Sequence, residues 1–192
     1  MTDQPKKAFE WAAWDEVMRT VARMMEEHNF AIALQTVDRF LDPDLSVELR
    51  CSVLGMRAQL KEDLGDQEGA KADLVDAISL GAADVARYVN ESSLAELFRR
   101  EGNRPDSIKW YRVALSTAMR GGFPGGGALW KFITLQSEKA LSEEDRALCI
   151  DVAECSWKLL DLPGKPNLDN LKASACTIIE REGASQANGP AD

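Results

Sequence analysis

Moved along by 37 residues, the chain meets its own chemistry again, twice. His28-Asn29, Gly65-Asp66 and Gly102-Asn103 occupy equivalent places. Past each pair comes a small residue, Ala33, Ala70 and Ser107, and four further on stand Val37, Leu74 and Tyr111. Phe40, Ala77 and Ala114 follow, each directly succeeded by Leu41, Ile78 and Leu115. Positions i, i+4, i+7 and i+8 lie on one helical face, so every copy drives the same stripe into a neighbour. A unit of this length cannot bury such a face alone and must stack on the next copy. The small residues allow the helices to approach closely. These features predict a repeat of helical hairpins.

The rest of the chain also reads as helix, although 126–161 does not keep the repeat register. Turn punctuation falls at Asp42-Pro43-Asp44, Gly81, Gly121 to Gly127 and Leu162-Pro163-Gly164 as well as at the repeat turns. Between these marks apolar residues recur every three or four positions, which is helical spacing, and strand-like alternation is missing. The expected helices are 8–27, 30–41, 45–64, 67–80, 83–101, 105–120, 126–139, 143–161 and 167–182. Pro105 suits a first helical turn, where its absent N–H is not missed. Ser142, followed by Glu143, Glu144 and Asp145, reads as an N-cap with acids placed well against the helix dipole.

Leu60, Gly65, Asp66, Ala70, Leu74, Ala77, Ile78 and Leu80, then Leu94, Ala95, Phe98, Gly102, Tyr111, Ala114 and Leu115, make the pattern resemble the tetratricopeptide repeat family. They stand where that family has its first-helix small residue, turn glycine and second-helix alanines. The likeness spans about 45–120, with 8–41 a degenerate copy in which His28 takes the glycine's place. The period of 37 is longer than the family's 34, Leu54 or Glu91 stands for its tryptophan, and its closing proline is absent. The resemblance implies an all-α, right-handed solenoid of antiparallel hairpins. Its parts would be hairpins at about 8–41, 45–80 and 83–120, a degenerate pair at 126–161, and a cap at 167–182. All would belong to one domain, 1–182, followed by a disordered tail, 183–192.

In that family the first helix of each hairpin lines a concave groove, and the members bind other proteins without catalysis. Here the corresponding faces carry Met18, Ala22, Met25 and Glu26, then Gly55, Gln59, Glu62 and Asp63, then Ser92, Glu96, Arg99 and Arg100. The face grades from thioether through acid to base. Methionines adapt to varied apolar partners, and paired arginines suit carboxylates. Met18, Met25, Gln59, Glu62, Asp63, Glu96, Arg99 and Arg100 are therefore the expected partner contacts. The chaperone-binding members' Lys and Asn clamp is replaced by Ala22, Gln59 and Glu96. The expected role is an adaptor, a dedicated chaperone or a toxin-neutralising immunity protein that holds an extended or helical segment.

Composition narrows the alternatives. With 23 basic and 32 acidic residues the 192-residue chain carries a formal charge of −9, so nucleic acid and anionic membranes repel it. Residues 1–100 hold 12 basic and 19 acidic side chains and the remainder 11 and 13, so most of that charge lies early. No apolar run approaches the ~20 residues of a membrane span, and the charged start leads into no apolar stretch, so a cytoplasmic location is expected. Cys51, Cys149, Cys155 and Cys176 lack metal or redox spacing and read as small buried apolar residues. His28 has no neighbouring nucleophile or second histidine, and its place in a repeat turn suits a residue that tolerates left-handed backbone. The five tryptophans read as packing anchors, and the carboxylates Glu62, Asp63, Asp66, Glu68, Asp73 and Asp76 as a solvated face. Gly121 to Gly127 lacks the Lys-Ser/Thr of a phosphate loop and reads as a flexible corner. A carboxylate-based enzyme assembled near that corner is the alternative. Neither a cofactor nor a metal is implied.

Overall fold

A computed structural model describes residues 4–136 and 142–159. Among them are eight α-helices and no strand: α1 (Gln4–Glu26), α2 (Phe30–Phe40), α3 (Val47–Asp63), α4 (Gln67–Ser79), α5 (Asp84–Arg100), α6 (Arg104–Gly121), α7 (Gly126–Leu135) and α8 (Glu143–Leu159). Each falls within a few residues of a helix expected from the periodicity. The expected cap at 167–182, the tail and Cys176 lie outside the described residues.

The three repeat turns are the same structure. His28, Gly65 and Gly102 have φ of 58°, 84° and 75°, the left-handed region that ends helices. At all three, the next residue's N–H donates to the carbonyl five positions back: Asn29 to Met24 at 2.7 Å, Asp66 to Lys61 at 2.8 Å, Asn103 to Phe98 at 2.9 Å. Those same residues then start the following helices. Asp66 Oδ1 accepts the Gly69 N–H at 2.9 Å, and Asn103 Oδ1 accepts that of Asp106 at 3.4 Å. The face that follows is buried as the repeat requires: Ala33, Val37, Ala70, Leu74, Ala77, Ser107, Tyr111, Ala114 and Leu115 are all inside.

The chain divides into two compact units, residues 1–97 and 98–192. In the first, α1, α2 and α3 share a core of Trp14, Val21, Ala33, Val37, Leu49, Val53 and Leu60. Trp14 rests on Phe40 with ring centroids 5.2 Å apart. A second cluster, Cys51, Leu54, Ala77 and Ala82, joins α3 and α4 to the start of α5 through Ala86. The Cys51 Sγ–H donates to the Ala77 carbonyl at 3.0 Å, and burial pushes its thiol pKa up. Cys149 is buried too, whereas Cys155 is half-buried.

In the second unit α6, α7 and α8 pack on one another, burying Ala118, Leu129, Phe132, Ile133, Val152 and Ala153. The glycine-rich corner is part of that packing. Gly122, at φ 65°, ends α6, and a Cβ on Gly125 would stand 2.9 Å from Val152 and 3.0 Å from Ala118. Ser142 caps α8 as expected, its Oγ accepting the Asp145 N–H at 3.1 Å.

Candidate functional site

The expected contact residues sit in three settings. Gln59 and Asp63 are exposed on α3, and Glu62, on the same helix, is half-buried, as is Glu96 on α5. Met18 and Met25 are half-buried and pack against the first core, so their thioethers serve folding as well as any surface. Arg99 and Arg100 are exposed at the end of α5 and belong to the second unit. Glu62, Glu96, Arg99 and Arg100 each already have a partner within the chain. Gly55 differs from expectation. It does not line open space: a Cβ there would lie 2.7 Å from Asn90 Oδ1, because α5 packs against α3 at that point.

Two further readings need correction. Asp73 is no part of a solvated acidic face; it is 2% exposed. Arg57 Nε donates to Asp73 Oδ2 at 2.8 Å and Arg57 Nη2 to Oδ1, while Lys61 Nζ lies 2.8 Å from Oδ2. Arg57 also reaches Asp38 at 3.6 Å, so one guanidinium ties α2, α3 and α4 together. The bidentate bond to Asp73 raises the Arg57 pKa. Likewise Trp11 is not a packing anchor, since 37% of it is exposed. Trp14 fills that role three residues later.

Other polar groups escaped the sequence. Glu91, the repeat equivalent of Leu54, is fully buried. Its Oε1 accepts from Arg87 Nε at 2.8 Å, and its Oε2 has no hydrogen-bond partner. Glu10, on α1, accepts the Ser46 N–H at 3.2 Å at the start of α3, where the helix dipole favours a carboxylate. Lys7 pairs with Glu48 at 3.5 Å beside it. In the second unit Asp145 takes two bonds from Arg112, at 2.7 and 2.9 Å, and one from Gln136 at 3.3 Å. The Arg112 bonds hold the Asp145 carboxyl below its ordinary pKa. Only the i,i+4 spacing of Arg87 and Glu91 was visible in advance; the other pairs join separate helices.

An open cleft of about 430 Å³ lies on the first unit, floored by Leu41, Leu54 and Leu80 and flanked by Arg50, Arg57 and Asp76. Arg50 Nη1 donates to the Pro43 carbonyl at 3.3 Å there. Among the described residues no group of three His, Cys, Asp or Glu side chains is placed to hold a metal. None of their helices is long and apolar enough to cross a membrane.

Helical hairpins with one turn geometry and one buried face, recurring every 37 residues, define a tetratricopeptide-like helical repeat. Among solved structures the chain is similar to BtubC (BKLC) from P. vanneervenii, with TM-score 0.62 and 12% identity over 99% of this chain and 87% of that one. It is also similar to the kinesin light chain TPR-like repeats of Podosopora anserina, with TM-score 0.47 and 12% identity over 90% of this chain and 94% of the other. No protein-family model and no curated protein matches it.

Proposed function

We propose that the protein is a non-catalytic binding module that holds an extended or helical segment of a partner protein along the first helices of its hairpins. The observation that carries this reading is the division of labour within each repeat. The stacking residues are buried, whereas Gln59 and Asp63 on α3 and Arg99 and Arg100 on α5 face solvent. Asp63 and Arg100 hold the same repeat position on α3 and α5, and exposed polar side chains of this kind on each hairpin's first helix suit recognition. Met18 and Met25 add adaptable apolar area at the start of that surface. Arg99 and Arg100 would engage carboxylates through their planar forks. Holding one dedicated partner, as an adaptor, a chaperone or an immunity protein does, is the role within the cytoplasm that this surface serves.

The test is capture of the native partner from the protein's own cells, compared across variants. Gln59→Lys with Asp63→Lys, and separately Arg99→Glu with Arg100→Glu, should leave helical circular dichroism intact and weaken capture at least tenfold. Undiminished capture by both variants would remove this face from the binding site.

A further inference from the structure

The open cleft of the first unit is walled by the α2–α3 turn, α3 and α4, and none of the expected partner contacts lines it. Its floor is apolar: Leu54 is 6% exposed, and Leu41 and Leu80 are half-buried. Its volume of about 430 Å³ is that of a small-molecule site, in which apolar walls hold a ligand and a few polar groups orient it.

What fits depends on which polar groups have bonding capacity left. Arg57 has little to spare, being bidentate to Asp73 and in reach of Asp38. Asp42 Oδ1 accepts the Asp44 N–H at 2.7 Å within its own turn. Arg50, half-buried, spends a single N–H on the Pro43 carbonyl at 3.3 Å, which leaves the rest of its planar fork open. The Asp76 backbone carbonyl accepts from Ser79 Oγ at 2.7 Å, but its exposed carboxylate has neither a hydrogen bond nor an ion pair among the described residues. One open cation and one open anion thus flank a leucine floor. Arg57 meets Asp73, and Cys51 meets the Ala77 carbonyl, so α4 runs antiparallel to α3. Asp76 therefore stands one turn of α3 beyond Arg50, roughly 5 Å along its axis.

We infer that this cleft binds a free apolar α-amino acid of leucine size, as its zwitterion. Arg50 takes the carboxylate through its fork, Asp76 takes the ammonium, and the side chain lies on Leu41, Leu54 and Leu80. Both charges hang on one carbon by bonds of about 1.5 Å. With a hydrogen bond of about 2.8 Å at either end, the ligand bridges the step between the two residues. The surrounding unit carries 10 basic and 19 acidic side chains, which repel a plain anion but not a neutral zwitterion. A plain cation would leave Arg50 unanswered.

The test is a titration of the full chain with L-leucine, followed by proton–nitrogen NMR. Leucine should shift the amides of Leu41, Arg50, Leu54 and Leu80. It should bind at least tenfold more tightly than glycine, leucinamide or N-acetyl-leucine, which lack the apolar chain, the carboxylate and the ammonium in turn. The last two also stand for the N-terminal and C-terminal leucine of a peptide, so they separate a free amino acid from a chain end. Arg50→Gln and Asp76→Asn should each weaken leucine binding at least tenfold. Because Arg50→Gln also releases the Pro43 turn, Asp76→Asn, whose carboxylate has no bond to lose, is the decisive variant. Equal binding of any of the three relatives would overturn the inference. So would unchanged affinity in Asp76→Asn, shifts confined to other parts of the chain, or no binding of leucine.

Discussion

At the scale of single residues, what the sequence reveals depends on whether a residue's environment is local. His28 was readable because a helix-ending turn needs a left-handed residue at a fixed repeat position, and it has φ 58° there. Asp73 was not, because its burial follows from Arg57 and Lys61, 16 and 12 residues away on another helix. Asp145 is a case of both kinds. Its cap with Ser142 is local, while its bonds to Arg112 come from 33 residues away. That pair makes a definite acid-stability prediction. The Arg112 hydrogen bonds depress the folded pKa of Asp145, so the unfolded chain takes up the proton first as pH falls. The stabilisation is complete above the unfolded value of about 4 and is lost as pH drops through the lower folded value. Arg112 is nearly half exposed, which limits the effect to about 1–2 kcal/mol. Asp145→Asn should be less stable than the parent at pH 7, with the two denaturation free energies converging as pH falls beneath the ordinary carboxylate range. A gap independent of pH would show that Asp145 does not titrate through this pair.

Elements were more legible than sites because helical periodicity is a property of consecutive residues. All eight described helices were foreshadowed by spacing and turn residues, down to Pro105 in the first turn of α6. The glycine-rich corner was misjudged as merely flexible for a physical reason: sequence shows that glycine lacks a side chain, not what occupies the space. Gly125 sits where α6 and α8 come together, and Gly127, in the first turn of α7, faces open space. The two glycines should therefore respond oppositely to one methyl group. Gly125→Ala forces Val152 and Ala118 to shift and should cost about 1–3 kcal/mol. Gly127→Ala meets nothing and gains helix propensity, so it should be neutral or stabilising by up to about 1 kcal/mol. Denaturant midpoints measured on both would settle the matter, and equal destabilisation would mean the corner is not packed as described.

Over the whole molecule the decisive quantity is where the charge lies, and this was half visible. A count by sequence position shows an acidic early region, but only the division after Leu97 shows that the first unit holds all of the net −9 and the second none. Like charges crowded into one unit oppose its compact state. Salt relieves this, as the screening length falls from about 10 Å at 0.1 M to about 3 Å at 1 M. The buried ion pairs on Asp73 are shielded from solvent and should lose little by the same treatment. Raising NaCl from 20 to 500 mM should thus increase hydrogen-exchange protection of core amides in α2, α3 and α4. Amides in α6, α7 and α8 should change less, or lose slightly as the Arg112–Asp145 pair is screened. The rise in the first unit should vanish when Glu26, Glu62, Asp63 and Asp66, all outward-facing or half-buried, are replaced together by their amides. Equal gains in both units, or a gain that survives those replacements, would show that the salt effect does not come from repulsion within the acidic unit.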